Sequence, residues 1–273
     1  MAAYQHRTIL VGDIRTHFLE AGSGPDLVLL HGGEYGASAE ITWRYNIEAL
    51  ARRFHVVAPD LLGWGQTDKL YSFSDPAGLR IKHLRRFVET LGIGDACFVG
   101  NSAGGGLILR ASVRQPAPLQ IRKMVTICGN ASVFKTTSQA NLENYTPSLE
   151  NMKKIVALLY HDPKWQSEEN IRERYECSIV PGAWEALSAA RLRSPVHQAR
   201  STTEEFVKRL SRLSIPLLIM SCDHDPLNQP DWDVNFQKIV PGSRVHRFKH
   251  SAHEPQIEET EEFNRVLMEF LLD

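Results

Sequence analysis

The feature that most constrains this chain is an alternation. Apolar runs of three to five residues recur along it, separated by stretches whose apolar residues follow the helical period. Runs that short and that apolar suit strands buried on both faces, and helices between them suit the crossovers of a parallel sheet. The runs are 27–30, ending at His31-Gly32-Gly33; 55–58, ending at Pro59-Asp60; 97–99, ending at a turn around Ser102; 124–127; 216–220, ending near Asp225; and 245–248, ending before His253. Residues 4–19 read as an edge hairpin around Gly12-Asp13. Between the runs, 79–91 carries a stripe of Leu84, Phe87, Val88 and Leu91, and the C-terminus carries Phe263, Val266, Leu267 and Phe270. Both stripes read as core-facing sides of helices.

One stretch breaks the alternation. From about 130 to 214 there is no strand-like run, only helical patterns: 149–159, 171–177, 184–192 and 206–213, punctuated by Pro147-Ser148 and Pro181-Gly182. This predicts a helical lid at 131–213, inserted into an α/β core made of 1–130 and 214–273. A chain of 273 residues suits one core with such an insertion.

Composition narrows the function classes. Net charge is −1, with 42% hydrophobic and 23% charged residues. That balance argues against a general nucleic-acid binder, which needs clustered Lys and Arg to neutralise phosphates. The densest basic run, 80–86, has helical spacing and reads as a solvated helix face. No stretch approaches the ~18 apolar residues that span a bilayer, so no membrane partner is expected. The beginning of the chain lacks the apolar core of a signal peptide. Cys97, Cys128, Cys177 and Cys222 follow no metal-ligand spacing and read as free thiols, consistent with a cytoplasmic protein.

The turn Gly100-Asn101-Ser102-Ala103-Gly104 carries the chemistry. A Gly-x-Ser-x-Gly turn between a strand and a helix lifts the serine Oγ above the sheet, and its small residues let strand and helix approach. Here a β-rich run, 96–99, precedes it and a helix-like run, 107–113, follows it. Gly105 and Gly106 extend the room for packing. A phosphate cradle is the other use of such glycines, but Gly-x-Gly-x-x-Gly is absent and no Lys follows as in a P-loop.

A serine hydroxyl needs a base to take its proton, and that base needs an acid to orient it. In this turn's usual setting the chain order is Ser, Asp or Glu, then His, each in a loop after a strand. Of eleven histidines only His246, His250 and His253 follow the last plausible acid. His246 lies within a strand pattern and His250 at its end, which favours His253 as base. Asp223 and Asp225 both follow the 216–220 run. Asp225 is the expected acid, Asp223 reads as a turn residue, and His224 as a solvent-facing neighbour. The developing oxyanion needs backbone N–H donors. Ala103 should supply one, and the loop His31-Gly32-Gly33-Glu34 the other, from Gly33 or Glu34. The triad needs no metal or organic cofactor.

Nearly end to end, the sequence resembles the carbon–carbon bond hydrolases of aromatic and steroid ring meta-cleavage pathways, within the α/β-hydrolase fold. His31-Gly32-Gly33 with Gly36-Ala37 resembles the family's His-Gly-Gly-Gly-Pro-Gly-Ala loop. Asp60-Leu61-Leu62-Gly63-Trp64-Gly65 with Asp68 resembles its Asp-x-Pro-Gly-x-Gly-x-Ser-Asp stretch, and 100–105 its Gly-Asn-Ser-x-Gly-Gly. Residues 253–258 with Phe263-Asn264 resemble its Gly-His-Trp-x-Gln-x-Glu and later Phe-Asn. Residues 172–175 resemble the segment carrying the family's substrate-carboxylate arginine, with Arg174 at the matching position.

The resemblance implies a small-molecule substrate, a vinylogous 1,5-diketone that first ketonises with help from His253 and is then cleaved through Ser102 and water. It implies substrate contacts from Gly32, Glu34, Asn101, Arg174 and Glu254, and it is compatible with a homodimer. There are departures. Glu254 stands where the family has Trp, Glu34 and Tyr35 where it has Gly and Pro, and Thr42 where a pocket Asn is expected. Two acidic residues beside a dianionic substrate would repel it. A carboxylesterase or lactonase is therefore the alternative, and a ligand sensor on the same fold a third reading.

Overall fold

The computed structural model describes residues 4–134, 136, 138, 142, 144–189, 192 and 203–273. Among these, eight strands form one sheet: β1 (Gln5–Val11), β2 (Ile14–Ala21), β3 (Asp26–Leu30), β4 (His55–Pro59), β5 (Ala96–Asn101), β6 (Ile121–Ile127), β7 (Leu217–Cys222) and β8 (Arg244–Phe248). Their order is β1-β2-β4-β3-β5-β6-β7-β8. The β1–β2 hairpin is antiparallel and β2 runs antiparallel to β4; every other pair is parallel. The expected runs and hairpin thus all become strands, and β5 lies among the central strands with its C-terminal end at Ser102.

The strands are apolar throughout because helices cover both sheet faces. Successive side chains point to opposite sides. Val28 and Leu30 join Val57, Phe98, Leu84, Phe87 and Ile108 on one side. Leu27 and Leu29 join Val56, Val99, Trp43, Phe263 and Leu267 on the other. The first side is closed by α3 (Pro76–Thr90), capped by Asp75, and α4 (Ala103–Ser112). The second is closed by the short α1 (Ala39–Trp43) and α2 (Ile47–Ala51) and by the C-terminal helix Thr260–Leu272. The two five-residue helices escape a periodicity reading because each spans little more than one turn.

Between β6 and β7 the described residues contain helices and no strand. They are α5 (Leu149–Leu159), the 3-10 turn Pro163–Gln166, α6 (Glu168–Ser178), α7 (Ala183–Ser188) and α8 (Thr203–Leu210). Ser148 and Ser167 cap α5 and α6 by accepting from the N–H groups of Asn151 and Asn170. Met152, Ile155, Val156 and Leu159 of α5 pack with Tyr35, Leu227 and Ile257, which ties this layer to loops of the core. The helix expected over 184–192 ends at Ser188; Arg191 and residue 190 lie outside the described residues.

Candidate active site

Ser102 sits where β5 meets α4, with φ 48° and ψ −111°. A non-glycine residue held at positive φ stores about 1–3 kcal/mol of strain, so the surroundings must enforce it. Two backbone bonds do so: Ser102 N–H donates to Ile127 O at 2.7 Å, and Gly106 N–H donates to Ser102 O at 2.9 Å. The glycines follow from crowding. A Cβ on Gly100 would meet Gly104 C at 2.4 Å, one on Gly104 would meet His31 O at 2.6 Å, and one on Gly105 would meet Thr126 Oγ1 at 2.3 Å. The run of small residues lets strand, helix and the following loop close around the turn.

His253 lies in the loop after β8 and is buried. Its Nδ1–H donates to Asp225 Oδ2 at 2.9 Å. Asp225 also accepts from Leu227 N–H at 2.9 Å and Asn228 Nδ2 at 2.7 Å, which fixes the carboxylate. Burial pushes the Asp225 pKa up, but the His253 charge and these donors outweigh it and hold it below the usual range. For His253, burial lowers the pKa while the Asp225 charge and hydrogen bond, aided by Glu34 and Glu254, carry it above the ordinary imidazole value. Nε2 is buried with no hydrogen-bond partner. It borders the same cavity, about 460 Å³, as Ser102. Asn101 Nδ2 donates to His253 O at 3.1 Å, linking the loop to the end of β5.

The other candidates fall elsewhere. Asp223 pairs with Lys249 at 3.3 Å on the surface. His246 pairs with Glu262 at 3.0 Å, and His250 is exposed. His224 stacks on His161 with ring centroids 3.7 Å apart. Cys128, Asp225 and His253 bring ligand-type atoms within 4.8 Å of one another. That set does not suit a metal: Asp225 and His253 Nδ1 are spent on each other, and burial drives the Cys128 thiol well above its ordinary pKa. The four cysteines are free, and Cys177 is pushed up to about 11 by burial, which disfavours its thiolate.

Across from Ser102 lies the loop 31–36. His31 Nε2 accepts from Leu61 N–H at 2.9 Å and Nδ1 faces Gly32 O at 2.6 Å, so the ring pins this loop to the one after β4. A Cβ on Gly33 would meet the Ala103 Cβ at 2.6 Å, so the backbones of Gly33 and Ala103 face each other closely. Both line the cavity, as does Glu34, whereas Gly32, Asn101, Thr42 and Glu254 do not. The Glu34 N–H is engaged by its own carboxylate, which leaves Gly33 the better placed donor.

Arg174 departs from expectation. It does not line the cavity; Ile171, Arg174 and Ser178 form the buried stripe of α6, and the arginine is 1% exposed. Nη1 donates to Glu34 Oε1 at 2.9 Å, and Nη2 donates to both Glu254 oxygens, at 2.9 and 2.8 Å, and to Tyr160 Oη at 2.5 Å. The expected receptor of a substrate anion is therefore occupied from within. The two glutamates that depart from the family pattern are its ligands, so they do not present bare charge to a substrate. They share one cation unequally. The Arg174 charge outweighs burial and holds the Glu34 pKa low, while burial and the Glu34 charge raise Glu254 to about 7.

The cations that do line the cavity are Arg80 and Arg110. Arg80 heads the 80–86 run that reads as a solvated face, and it lies instead over the Trp64 ring, 4.5 Å from its centroid. Arg110 donates to Ala131 O at 2.6 Å. Their signal in the sequence is faint: Ala77 and Arg80, one helical turn apart, both reach the cavity from α3.

A mostly parallel sheet with a strained serine turn, a buried Asp–His pair and a facing glycine loop defines a serine hydrolase of the α/β type. The chain belongs to the alpha/beta hydrolase family, whose model matches residues 27–266. It is 28% identical to a 2-hydroxymuconate semialdehyde hydrolase of Pseudomonas putida, over 98% of this chain and 94% of that protein. It is 27% identical to a 2-hydroxy-6-oxo-2,4-heptadienoate hydrolase of Pseudomonas putida, over 97% and 95%. Among solved structures, a variant of the meta-cleavage product hydrolase CumD from Pseudomonas fluorescens, complexed with acetates, superposes with a TM-score of 0.86 at 28% identity, over 97% of each chain. Among the described residues, no helix is long and apolar enough to cross a membrane.

Proposed function

We propose that the protein hydrolyses the carbon–carbon bond of a ring meta-cleavage product, a vinylogous 1,5-diketone, with Ser102, His253 and Asp225 as its triad. The observation that carries this reading is the buried Asp225–His253 pair, whose unpartnered Nε2 borders one cavity with Ser102. The likeness to dienoate hydrolases over nearly the whole chain supports the bond type. His253 Nε2 moves the proton that converts the dienol to its keto form. It then takes the proton from the Ser102 hydroxyl or from water attacking the ketone, and Asp225 stabilises the imidazolium formed. The Gly33 and Ala103 N–H groups receive the oxyanion. As the carbon–carbon bond breaks, its electron pair passes to the dienol fragment, which takes up a proton. Water supplies the oxygen of the carboxylic acid product. The helices between β6 and β7 serve as the lid, and the cavity has the size of a small-molecule site.

An ester or lactone hydrolase is the second reading, and the internal engagement of Arg174 by Glu34 and Glu254 favours it. Stopped-flow absorbance with a coloured ring-cleavage dienol, run beside a p-nitrophenyl ester panel, separates the two. Bleaching of the dienol with release of a carboxylic acid is the expected result. Ester turnover with an unchanged dienol spectrum supports the second reading, and silence on both supports a ligand sensor.

A further inference from the structure

Arg80 is a guanidinium in the wall of the cavity that holds Ser102 and His253. No carboxylate pairs with it among the described residues, and Tyr71 is the only other titratable group whose charge it senses. Burial alone pulls its pKa down to about 10, so it still carries its charge at neutral pH. A cation taken part of the way out of water needs compensation. Trp64 supplies some of it: the guanidinium carbon lies 4.5 Å from the ring centroid. Trp64 is itself fixed, since its Nε1–H donates to Glu34 O at 3.1 Å and its ring meets His31 edge-on. Stacking uses the flat face of a guanidinium and leaves the N–H donors along its edge. That edge is the geometry that holds a carboxylate through two parallel hydrogen bonds.

Arg174 cannot do this task while Glu34, Glu254 and Tyr160 take its donors. Arg110 is partly committed, with Nη2 on Ala131 O and its guanidinium over Phe206. We propose that Arg80, held on the Trp64 ring, is the anion receptor of this active site, and that the enzyme selects substrates bearing a carboxylate that this guanidinium binds. The proposal rests on the serine-hydrolase site described above and deepens it. Under the carbon–carbon reading, the group bound is the carboxylate of the dienoate.

The test uses the full chain and two matched esters, mono-p-nitrophenyl adipate and p-nitrophenyl hexanoate, which differ by one carboxylate. The readout is the ratio of kcat/KM for the acid over the neutral ester. R80Q is expected to lower that ratio by about 10- to 150-fold, the effect of one charge-assisted hydrogen bond, mainly through KM. R80K, which keeps a point charge but loses the fork, is expected to fall between R80Q and the parent. Adipate itself is expected to inhibit the parent enzyme competitively, and R80K to raise its inhibition constant. If both variants lower turnover of the two esters equally, or leave the ratio and the adipate inhibition constant unchanged, Arg80 is not the receptor. Because the assay uses esters, a failure on the dienol overturns the carbon–carbon reading without touching this outcome.

Discussion

Arg174 separates two physical roles that one mutation can distinguish. Replacing it with Met keeps most of the side-chain volume and removes the charge. In the structure that change strands Glu34 and Glu254, both almost fully buried, without their shared cation. Breaking a buried ion pair by removing one partner costs about 3–5 kcal/mol, because an uncompensated charge stays behind. At about 2–4 °C per kcal/mol for a domain of this general size, Arg174→Met should lower Tm by roughly 6–20 °C. Glu34 belongs to the glycine loop facing Ser102, so kcat/KM should fall for acidic and neutral substrates alike. Adding Glu254→Gln to Arg174→Met should recover part of the lost Tm, since one of the stranded charges is then gone. Arg172→Ala, on the exposed side of α6, should change little. The measurements are thermal unfolding and kcat/KM on a matched pair of acidic and neutral esters. A Tm within about 2 °C of the parent, together with a loss confined to the acidic ester, would falsify the structural role and return Arg174 to the substrate.

Three further outcomes follow from the site. Ser102→Ala should lower kcat by about four to six orders of magnitude, and a serine-reactive phosphonate should label the parent at Ser102 alone; full labelling of the Ala variant refutes the assignment. Asp225→Asn should damage kcat more than Asp223→Asn, and because Asp225 is what raises the His253 pKa, the residual acid limb of its kcat/KM profile should move to lower pH. The parent limb should lie above pH 6.5, since the base must be neutral, and the reverse order of the two variants would place the acid at 223. Glu254, whose pKa is raised from 4.5 to about 7, contributes stability that is fully present below its unfolded value and is lost as pH rises through 7. Relative to Glu254→Gln, the parent should therefore lose Tm between pH 5.5 and 8, and a constant difference across that range counts against the shared-cation account.

What the sequence disclosed and what it hid divide along a physical line. The strands were legible because burial on both faces makes each a short apolar run, and the helices because one buried stripe repeats at 3.6 residues. Ser102 was legible because close packing of 100, 104 and 105 admits only glycine, so sterics write a pattern into consecutive residues. Asp225 and His253 were legible from chain order and from their places after β7 and β8. The charges around them were not. A run such as 80–86 looks the same whether its first arginine meets solvent or a tryptophan 16 positions earlier, because the contact depends on how α3 packs over the loop after β4. Arg174 misled for the same reason. Its position in the lid matched an anion receptor, but its partners at 34 and 254 are distant in sequence. Each of these glutamates, read alone, looked like a repulsive intrusion into an anion's pocket. Only together, on either side of one buried guanidinium, do they become its counter-ions, and their presence is the reason a different arginine is left to face the substrate.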